Sequence, residues 1–393
     1  MRGQRFLYFS LLILGSLLTT FIWYTFNNNW HRPLKKDPEI KSSDSCTDCR
    51  EEKHIIELCS ASRTQENQKV NNQQLHQKTK KNAPGSSDSC KDCRKKKNKV
   101  LEPYTQVWKK NEENHLEFRT WLRLKCNGFE NAIITQKNTP LGSKVIYDGE
   151  KKKTIKVTAE QFSFFFQGHP FSNKTRQTCA VVGNGGILAN SSCGKMIDSA
   201  EFVIRCNLPP LSNGYEKHVG MKTDLVTANP SIFTKKYGSL LGRRRMFVES
   251  LCQYGNSMLL LPAFSFSLNT ALCLRVLYTI EDFGSPIQPV FLNPKYLESL
   301  AVFWRSQGLK ETRLSTGMMM TSLALDLCDD VHLYGFWPFS VHPHSFQDLT
   351  NHYYDDAQGN KVFHSMSDEF KLLLQLHNQG VLKLHLGECG ANE

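Results

Sequence analysis

From about Thr178 onwards, short apolar runs of strand length alternate with longer segments that repeat apolar residues at helical spacing. Seven runs are predicted to be β-strands: Cys179–Val182, Glu201–Arg205, Asp224–Thr227, Met258–Leu261, Val290–Leu292, Val331–Tyr334 and Val381–Leu386. Three helices are predicted between or beside them: Tyr296–Ser306, Thr316–Cys328 and Asp368–Asn378. This alternation predicts an open α/β domain with a largely parallel, helix-covered sheet, in which ligands bind at the carboxyl ends of the strands.

The residues before this region differ in amino-acid composition and in hydrophobic pattern. Tyr104–Leu124 carries tryptophan, leucine and phenylalanine among charged residues, which predicts a helix that packs on the domain. Residues 27–100 are rich in Lys, Asn, Gln, Ser and Glu and lack sustained apolar periodicity, so we interpret them as a stem. The folded domain is therefore expected to span residues 101–393.

An uncharged run of 21 residues, Phe6–Phe26, has the length of a membrane-spanning helix. Arg2 and Arg5 precede it, which predicts a cytosolic tail at residues 1–5 and a lumenal remainder. A cleaved signal peptide is the alternative, but the run is too long and no small-x-small cleavage site follows it. We expect an uncleaved signal-anchor.

The stem contains an internal repeat. The sequence SSDSCTDCR at 42–50 recurs almost unchanged as SSDSCKDCR at 86–94. Paired Cys-x-x-Cys motifs could bind zinc, yet 40 residues separate the pairs, more than in zinc fingers or ribbons. A duplicated linker is favoured, and pairing of its cysteines between two chains would give a homodimer joined through the stem.

The spacing of the cysteines and the distribution of charge indicate the cellular compartment and the type of surface. Of thirteen cysteines, eight lie after residue 120 at wide spacings, which is typical of disulfides in an oxidising compartment. Sequons at Asn173 and Asn190 predict glycosylation there. The formal net charge of +12 lies partly in short lysine and arginine runs without interleaved aromatic residues. We therefore expect solvated surface rather than a nucleic-acid site.

Two segments are suited to binding a phosphate. The sequence VVGNGGI at 181–187 follows a predicted strand, and its glycines let the backbone approach a ligand while Asn184 offers an amide; a plain tight turn is the alternative. The sequence RLSTG at 313–317 begins an apolar helix whose N-terminal amides suit an anion, although an ordinary capped helix would look alike. The chain has no Asp-x-Asp triplet, so no metal site or cofactor is expected.

Candidate acid–base residues cluster near the C-terminus. His352 begins the sequence HYYD, and His364 is followed by Glu369 five residues later. Histidine is the side chain whose ordinary pKa suits proton transfer near neutral pH, although isolated histidines often have structural roles.

Together these segments resemble the animal sialyltransferases. The stretch Cys179–Val226 is similar to their large sialyl motif, and Arg313–Phe336 to the small one. HYYD at 352–355 resembles the third motif, and His364 with Glu369 the very small one. RLSTG at 313–317 and LYGFWPF at 333–339 look like the α2,8-sialyltransferase branch, in its di- and oligosialyl rather than polysialic-acid-synthesising members.

The resemblance implies a single Rossmann-like α/β glycosyltransferase domain, a GT-A variant, in the Golgi membrane. It implies inverting, metal-independent transfer of sialic acid from CMP-sialic acid to a sialylated glycolipid or glycoprotein. By position, His364 would be the general base and His352 would face the departing phosphate. The implied donor-binding residues are Asn184, Asn207, Ser315, Thr316, Gly317 and Trp337.

The family's disulfides would map to Cys179–Cys328 and Cys193–Cys389, and Cys206 would remain a buried thiol. Three other classes stay open from the sequence. An α2,6- or α2,3-sialyltransferase acting on galactose or N-acetylgalactosamine would carry the same motifs. A catalytically silent homologue that acts as a partner protein is disfavoured by the presence of both His352 and His364. A receptor or adhesion ectodomain would show regularly spaced strands without the helices.

Overall fold

A sheet of seven short parallel strands organises the part of the chain that the computed structural model describes, residues 107–171, 175–310, 313–356 and 365–390. All of these residues belong to one compact unit. Two further strands form a separate antiparallel hairpin. The strands are β1 Lys144–Ile146, β2 Thr154–Lys156, β3 Arg176–Val182, β4 Phe202–Arg205, β5 Leu225–Thr227, β6 Met258–Leu261, β7 Gln288–Phe291, β8 Cys328–Tyr334 and β9 Lys383–His385.

The order of strands in the main sheet is β7-β6-β5-β4-β3-β8-β9, and every neighbouring pair is parallel. From β3 the chain builds outwards through β4 to β7, and it then returns to the other side of β3 with β8 and β9. The direction of winding therefore reverses between β3 and β8, which makes this the switch point of a doubly wound sheet. All seven predicted strands are confirmed, and the sheet is wholly parallel.

Eleven α-helices occur among the described residues, and several short ones lie within the strand connections. Their bounds are α1 Glu112–Cys126, α2 Gly128–Asn131, α3 Ala159–Ser163, α4 Gly194–Ser199, α5 Glu216–Val219, α6 Pro230–Lys235, α7 Arg244–Leu251, α8 Ser267–Asp282, α9 Pro294–Ser306, α10 Thr316–Leu327 and α11 Met366–Asn378. The predictions for α9, α10 and α11 are confirmed to within two residues.

The helix predicted over Tyr104–Leu124 begins later than its apolar pattern suggests. Among the described residues it starts at Glu112, because the Asn111 side chain accepts a hydrogen bond of 3.0 Å from the backbone N–H of Asn114 and caps the helix there. The helix packs on the domain as expected, with Phe118 and Leu122 buried.

Apolar side chains explain why the strands form. Ala180, Val181 and Val182 of β3 are almost completely buried, as are Val203 and Ile204 of the adjacent β4. A strand covered on both faces loses the usual alternation of apolar and polar residues. This accounts for the continuous apolar runs in the sequence.

Two disulfides join distant parts of the chain. Cys179 of β3 is bonded to Cys328 at the start of β8, 149 residues away. Cys193, just before α4, is bonded to Cys389 near the C-terminus. These are the pairings that the family resemblance implied, and Cys206 is a buried free thiol as expected.

No helix within the described ranges is both long enough and apolar enough to cross a membrane. The predicted anchor at 6–26 and the predicted stem at 27–100 lie outside those ranges, so both stay predictions.

Candidate active site

The carboxyl ends of the central strands carry the polar residues singled out in the sequence. Asn184 follows β3, and its side-chain N–H₂ donates a hydrogen bond of 2.8 Å to the carbonyl oxygen of Cys206 after β4. Its side-chain oxygen is buried and has no hydrogen-bond partner among the described residues. A buried amide oxygen without a partner is unfavourable unless a ligand or water supplies a donor. This atom is therefore a candidate ligand contact.

The glycines around Asn184 permit very close packing. A Cβ atom on Gly185 would lie 2.6 Å from the carbonyl oxygen of Gly335, and one on Gly186 would lie 2.1 Å from that of Thr350. The backbone N–H of Gly185 donates to the Gly335 carbonyl at 3.1 Å. The glycine-rich sequence therefore allows the loops after β3 and β8 to meet, and a side chain at either glycine would force them apart.

Asn207 follows β4 in the left-handed backbone region, with φ of 63°. Its backbone N–H donates to the Thr227 hydroxyl at 2.9 Å, and its side-chain oxygen accepts from the backbone N–H of Asn229 at 2.9 Å. Asn229 lies just after β5 and accepts a hydrogen bond of 3.3 Å from the Thr316 hydroxyl. Asn207, Asn229 and Thr316 thus form one polar chain along this edge of the sheet.

Helix α10 begins beside these asparagines. The Ser315 hydroxyl caps the helix by accepting from the backbone N–H of Met318 at 3.1 Å. The backbone N–H of Ser315 donates to the Glu369 carboxylate of α11 at 2.7 Å, and this carboxylate is only 3% exposed. The start of this helix, the predicted anion site, is therefore held by a hydrogen bond to the buried side chain of Glu369.

Gly317 and Trp337 occupy the region beside this helix start. A Cβ atom on Gly317 would meet the Phe336 ring at 2.8 Å, so this position needs a residue without a side chain. The Trp337 indole N–H donates to the carbonyl oxygen of Val341 at 2.8 Å, and its ring packs against Phe339 and Phe370. Trp337 is buried in this arrangement, and its role in donor binding stays a prediction.

His352 lies opposite the glycine loop, where it forms an isolated β-bridge with Gly185. Its Nδ1 atom is 2.7 Å from the Asp355 carboxylate, and its ring stacks on Tyr354 at a centroid distance of 5.1 Å. The side chain is 30% exposed. A carboxylate at Nδ1 orients the ring, and the side-chain amide of Asn351 lies 3.3 Å from Nε2.

The residue after His352 connects two of these loops. The backbone N–H of Tyr353 donates to the carbonyl oxygen of Asn184 at 3.0 Å, and its hydroxyl donates to that of Pro210 at 2.5 Å. His352 is thereby tied both to the loop after β3 and to the loop that carries Asn207.

The groups buried beneath the site are neutral at physiological pH. Burial raises the pKa of the Cys206 thiol to about 12 and that of the Tyr354 hydroxyl to about 12. Burial also raises the pKa of Tyr353. These groups hold their protons and are not available as general bases.

Two predicted residues, His364 and the sequon residue Asn173, lie outside the described residues. Asn190 is exposed on the surface next to the Cys193–Cys389 disulfide. In the part of the chain that the structure describes, no three His, Cys, Asp or Glu side chains are grouped so as to hold a metal ion.

Sequence reasoning missed one member of the site, Asn229. Its local signal is an asparagine directly before Pro230 at the end of a predicted strand, a pattern typical of a helix start. That pattern does not reveal that the side chain reaches Thr316, 87 residues further along the chain.

Amides, a helix start and an imidazole lie together at the switch point of a parallel sheet, the place where ligands bind in doubly wound α/β enzymes. Residues 133–381 match the family described as glycosyltransferase family 29 (sialyltransferase). Alpha-2,8-sialyltransferase 8F of Homo sapiens is 44% identical over 298 residues, which cover 74% of this chain and 74% of that relative. The chain therefore belongs to glycosyltransferase family 29, the sialyltransferases.

Two further comparisons accompany this assignment. The alpha-N-acetylneuraminide alpha-2,8-sialyltransferase of Bos taurus is 43% identical over 293 residues, covering 75% of this chain and 82% of that relative. A crystal structure of a mammalian sialyltransferase superposes with a TM-score of 0.39 and 20% identity, covering 78% of this chain and 88% of that one. Because so low a TM-score does not establish a shared fold, the assignment rests on the sequence matches.

Proposed function

We propose that this protein is an α2,8-sialyltransferase that transfers sialic acid from CMP-sialic acid to the terminal sialic acid of a glycolipid or glycoprotein glycan. The observation that carries the proposal is the polar chain of Asn207, Asn229 and Thr316 beside Asn184, within a family 29 domain. The linkage is supported by the relatives with 42–44% identity, whose names specify α2,8 transfer.

The proposed reaction is a direct displacement. The acceptor hydroxyl attacks the anomeric carbon of the donor sialic acid, the bond from that carbon to the CMP phosphate breaks, and the configuration inverts. His364 takes the proton of the acceptor hydroxyl, and His352 faces the phosphate, where a positive imidazole or its N–H would stabilise the departing charge. The contact of His352 with Asp355 supports a role that needs a fixed ring orientation.

Donor binding is proposed to need no metal ion or other cofactor. The sequence has no Asp-x-Asp triplet, and the candidate phosphate contacts are side-chain amides and the N-terminal N–H groups of α10. The donor-binding set is Asn184, Asn207, Ser315, Thr316, Gly317 and Trp337.

The proposed setting is the Golgi membrane, with residues 1–5 in the cytosol, an anchor at 6–26 and the catalytic domain in the lumen. The uncharged N-terminal run and the arginines before it support this topology, as do the two disulfides. The sequons at Asn173 and Asn190 would be glycosylated there, and cysteines of the stem repeat would join two chains.

The test is to incubate the full chain, purified in detergent, with CMP-sialic acid and a panel of acceptors. The panel contains sialylated glycolipids, sialylated glycoproteins and their desialylated forms, and the linkage and chain length of each product are determined. We expect α2,8-linked product on sialylated acceptors alone, unchanged by a chelator. Transfer to the desialylated forms would indicate an α2,3- or α2,6-enzyme, and absence of all transfer with normal folding would indicate a silent homologue.

A further inference from the structure

Two helices of the domain begin with the same dipeptide in the same setting. Asn229-Pro230 follows β5 and begins α6, and Asn293-Pro294 follows β7 and begins α9. Both asparagines have extended backbone angles, with φ of −75° and −81°. Asn293, which lies far from the candidate site in the sheet order, therefore serves as a reference for Asn229.

The two side chains behave differently. The Asn293 oxygen accepts a hydrogen bond of 3.1 Å from the backbone N–H of Lys295 and so caps its own helix. The Asn229 side chain makes no cap bond, and its oxygen accepts from the Thr316 hydroxyl of another helix. Since a cap bond stabilises a helix, an asparagine that forgoes it directs its polar atoms to another task.

That task involves the donor site. The backbone N–H of Asn229 holds the Asn207 side chain, and its side-chain oxygen holds Thr316. The remaining group, the side-chain N–H₂, has no acceptor among the described residues, and Asn229 is half-buried, so solvent or a ligand can reach it. Asn229 thus contacts both Asn207 and Thr316, two residues to which the family resemblance assigns donor binding, and its side-chain N–H₂ is available for a ligand.

We infer that Asn229 is a donor-binding residue whose side-chain N–H₂ donates a hydrogen bond to the phosphate of the nucleotide sugar. This rests on the proposed function, and it adds a contact that the sequence motifs do not include. The same residue positions Asn207 and Thr316, so it couples the loop after β4 to the start of α10 around one phosphate.

Binding of CMP and of cytidine to the full chain tests this contact, because the two probes differ only in the phosphate. Asn229→Ala removes the donor, and we expect it to weaken CMP binding about tenfold and cytidine binding less than about twofold. Asn229→Asp retains an oxygen for Thr316 but places a negative charge against the phosphate, so we expect a loss of about a hundredfold for CMP alone.

Asn293→Asp is the matched control, and it should leave the binding of both probes unchanged, since aspartate is also a good cap. Equal losses of CMP and cytidine in Asn229→Ala, or equal CMP binding by the alanine and aspartate variants, would overturn the phosphate contact. If Asn229→Asp does not fold, the alanine variant alone decides by its CMP-to-cytidine comparison. Failure of the wild-type chain to bind CMP would contradict the proposed function itself. Normal CMP binding by the Asn229 variants would contradict only the phosphate contact.

Discussion

The buried carboxylate of Glu369 accepts a hydrogen bond of 2.7 Å from the backbone N–H of Ser315. The contact joins α11, which follows His364 in the chain, to the first turn of α10. We expect Glu369→Ala to lower the free energy of unfolding by about 1–3 kcal/mol, because a buried N–H then lacks its partner. CMP binding should weaken as well, since the start of α10 is no longer held.

Thermal unfolding and CMP titration measure these two effects. Glu369→Gln retains an oxygen acceptor and should recover most of the stability. Asp368→Asn changes the neighbouring carboxylate, which contacts Ser365 and Lys371 instead, and serves as the control. A fully stable Glu369→Ala with normal CMP affinity would show that this contact is dispensable.

Orientation of His352 by Asp355 gives a second prediction. His352→Ala should reduce kcat by a hundredfold or more, within the range of about 10²–10⁴ that a positioned acid or base contributes. Asp355→Asn keeps a polar side chain but removes the carboxylate charge next to His352 Nδ1. We expect about a tenfold loss of kcat with a nearly constant KM for the donor. Asp356→Asn, at the next position, should retain full activity. Normal turnover of His352→Ala would remove this residue from the mechanism.

The third prediction concerns His364, the proposed general base. His364→Ala should abolish transfer, while CMP affinity and the midpoint of thermal unfolding stay at wild-type values, because the base acts on the acceptor rather than on the nucleotide. Single-turnover assays with saturating donor separate this from a binding defect. The assignment fails if the variant transfers sialic acid at a near-normal rate.

A cluster of three histidines predicts the pH dependence of stability: His377 and His385 are buried, and His332 is half-buried. His332 Nδ1 lies 2.9 Å from His385 Nε2, and His385 stacks on Tyr334. Burial, with a smaller contribution from Lys383, lowers the pKa of His332 to about 4, although Asp330 acts in the opposite direction. Burial lowers the pKa of His377 to about 4 and that of His385 well below its usual value.

A histidine whose pKa is lowered on folding binds its proton more readily in the unfolded chain. Protons therefore favour unfolding as the pH falls below the ordinary histidine pKa of about 6.5. The free energy of unfolding continues to decrease down to about pH 4. We expect the unfolding temperature to fall steadily over this window. The double variant His332→Gln/His385→Gln should flatten the slope, whereas His344→Gln, an exposed histidine elsewhere, should not. An unchanged slope in the double variant would exclude the cluster as its source.

The sequence was sufficient to predict the sheet because its strands are continuous apolar runs. Met258–Leu261 has the predicted bounds, while β8 begins three residues before its predicted start. The reason is that Asp329 and Asp330 interrupt the apolar pattern. Their charges are compensated by Arg119 and Lys110 from the region of α1, which hydropathy along the strand cannot show.

The candidate site was predictable only where motifs or turn chemistry mark it. Asn184 is marked by the glycines around it, and Ser315 by its place before an apolar helix. Asn229 and the role of Glu369 depend on contacts between segments that are distant in the chain, 87 residues apart for Asn229 and Thr316 and 54 for Ser315 and Glu369. Such pairings follow from how the sheet is wound, so they require the structure.

The placement of β3 between β4 and β8 has a consequence for the newly made chain. Strands β3 to β7 are synthesised first, yet one side of β3 is covered only by β8, whose Cys328 lies 149 residues after Cys179. Until then, one side of β3 is an open edge, and such edges pair readily with other chains. We therefore expect the growing chain to be prone to association until β8 pairs with β3, and the Cys179–Cys328 bond can form only after β8 has been synthesised.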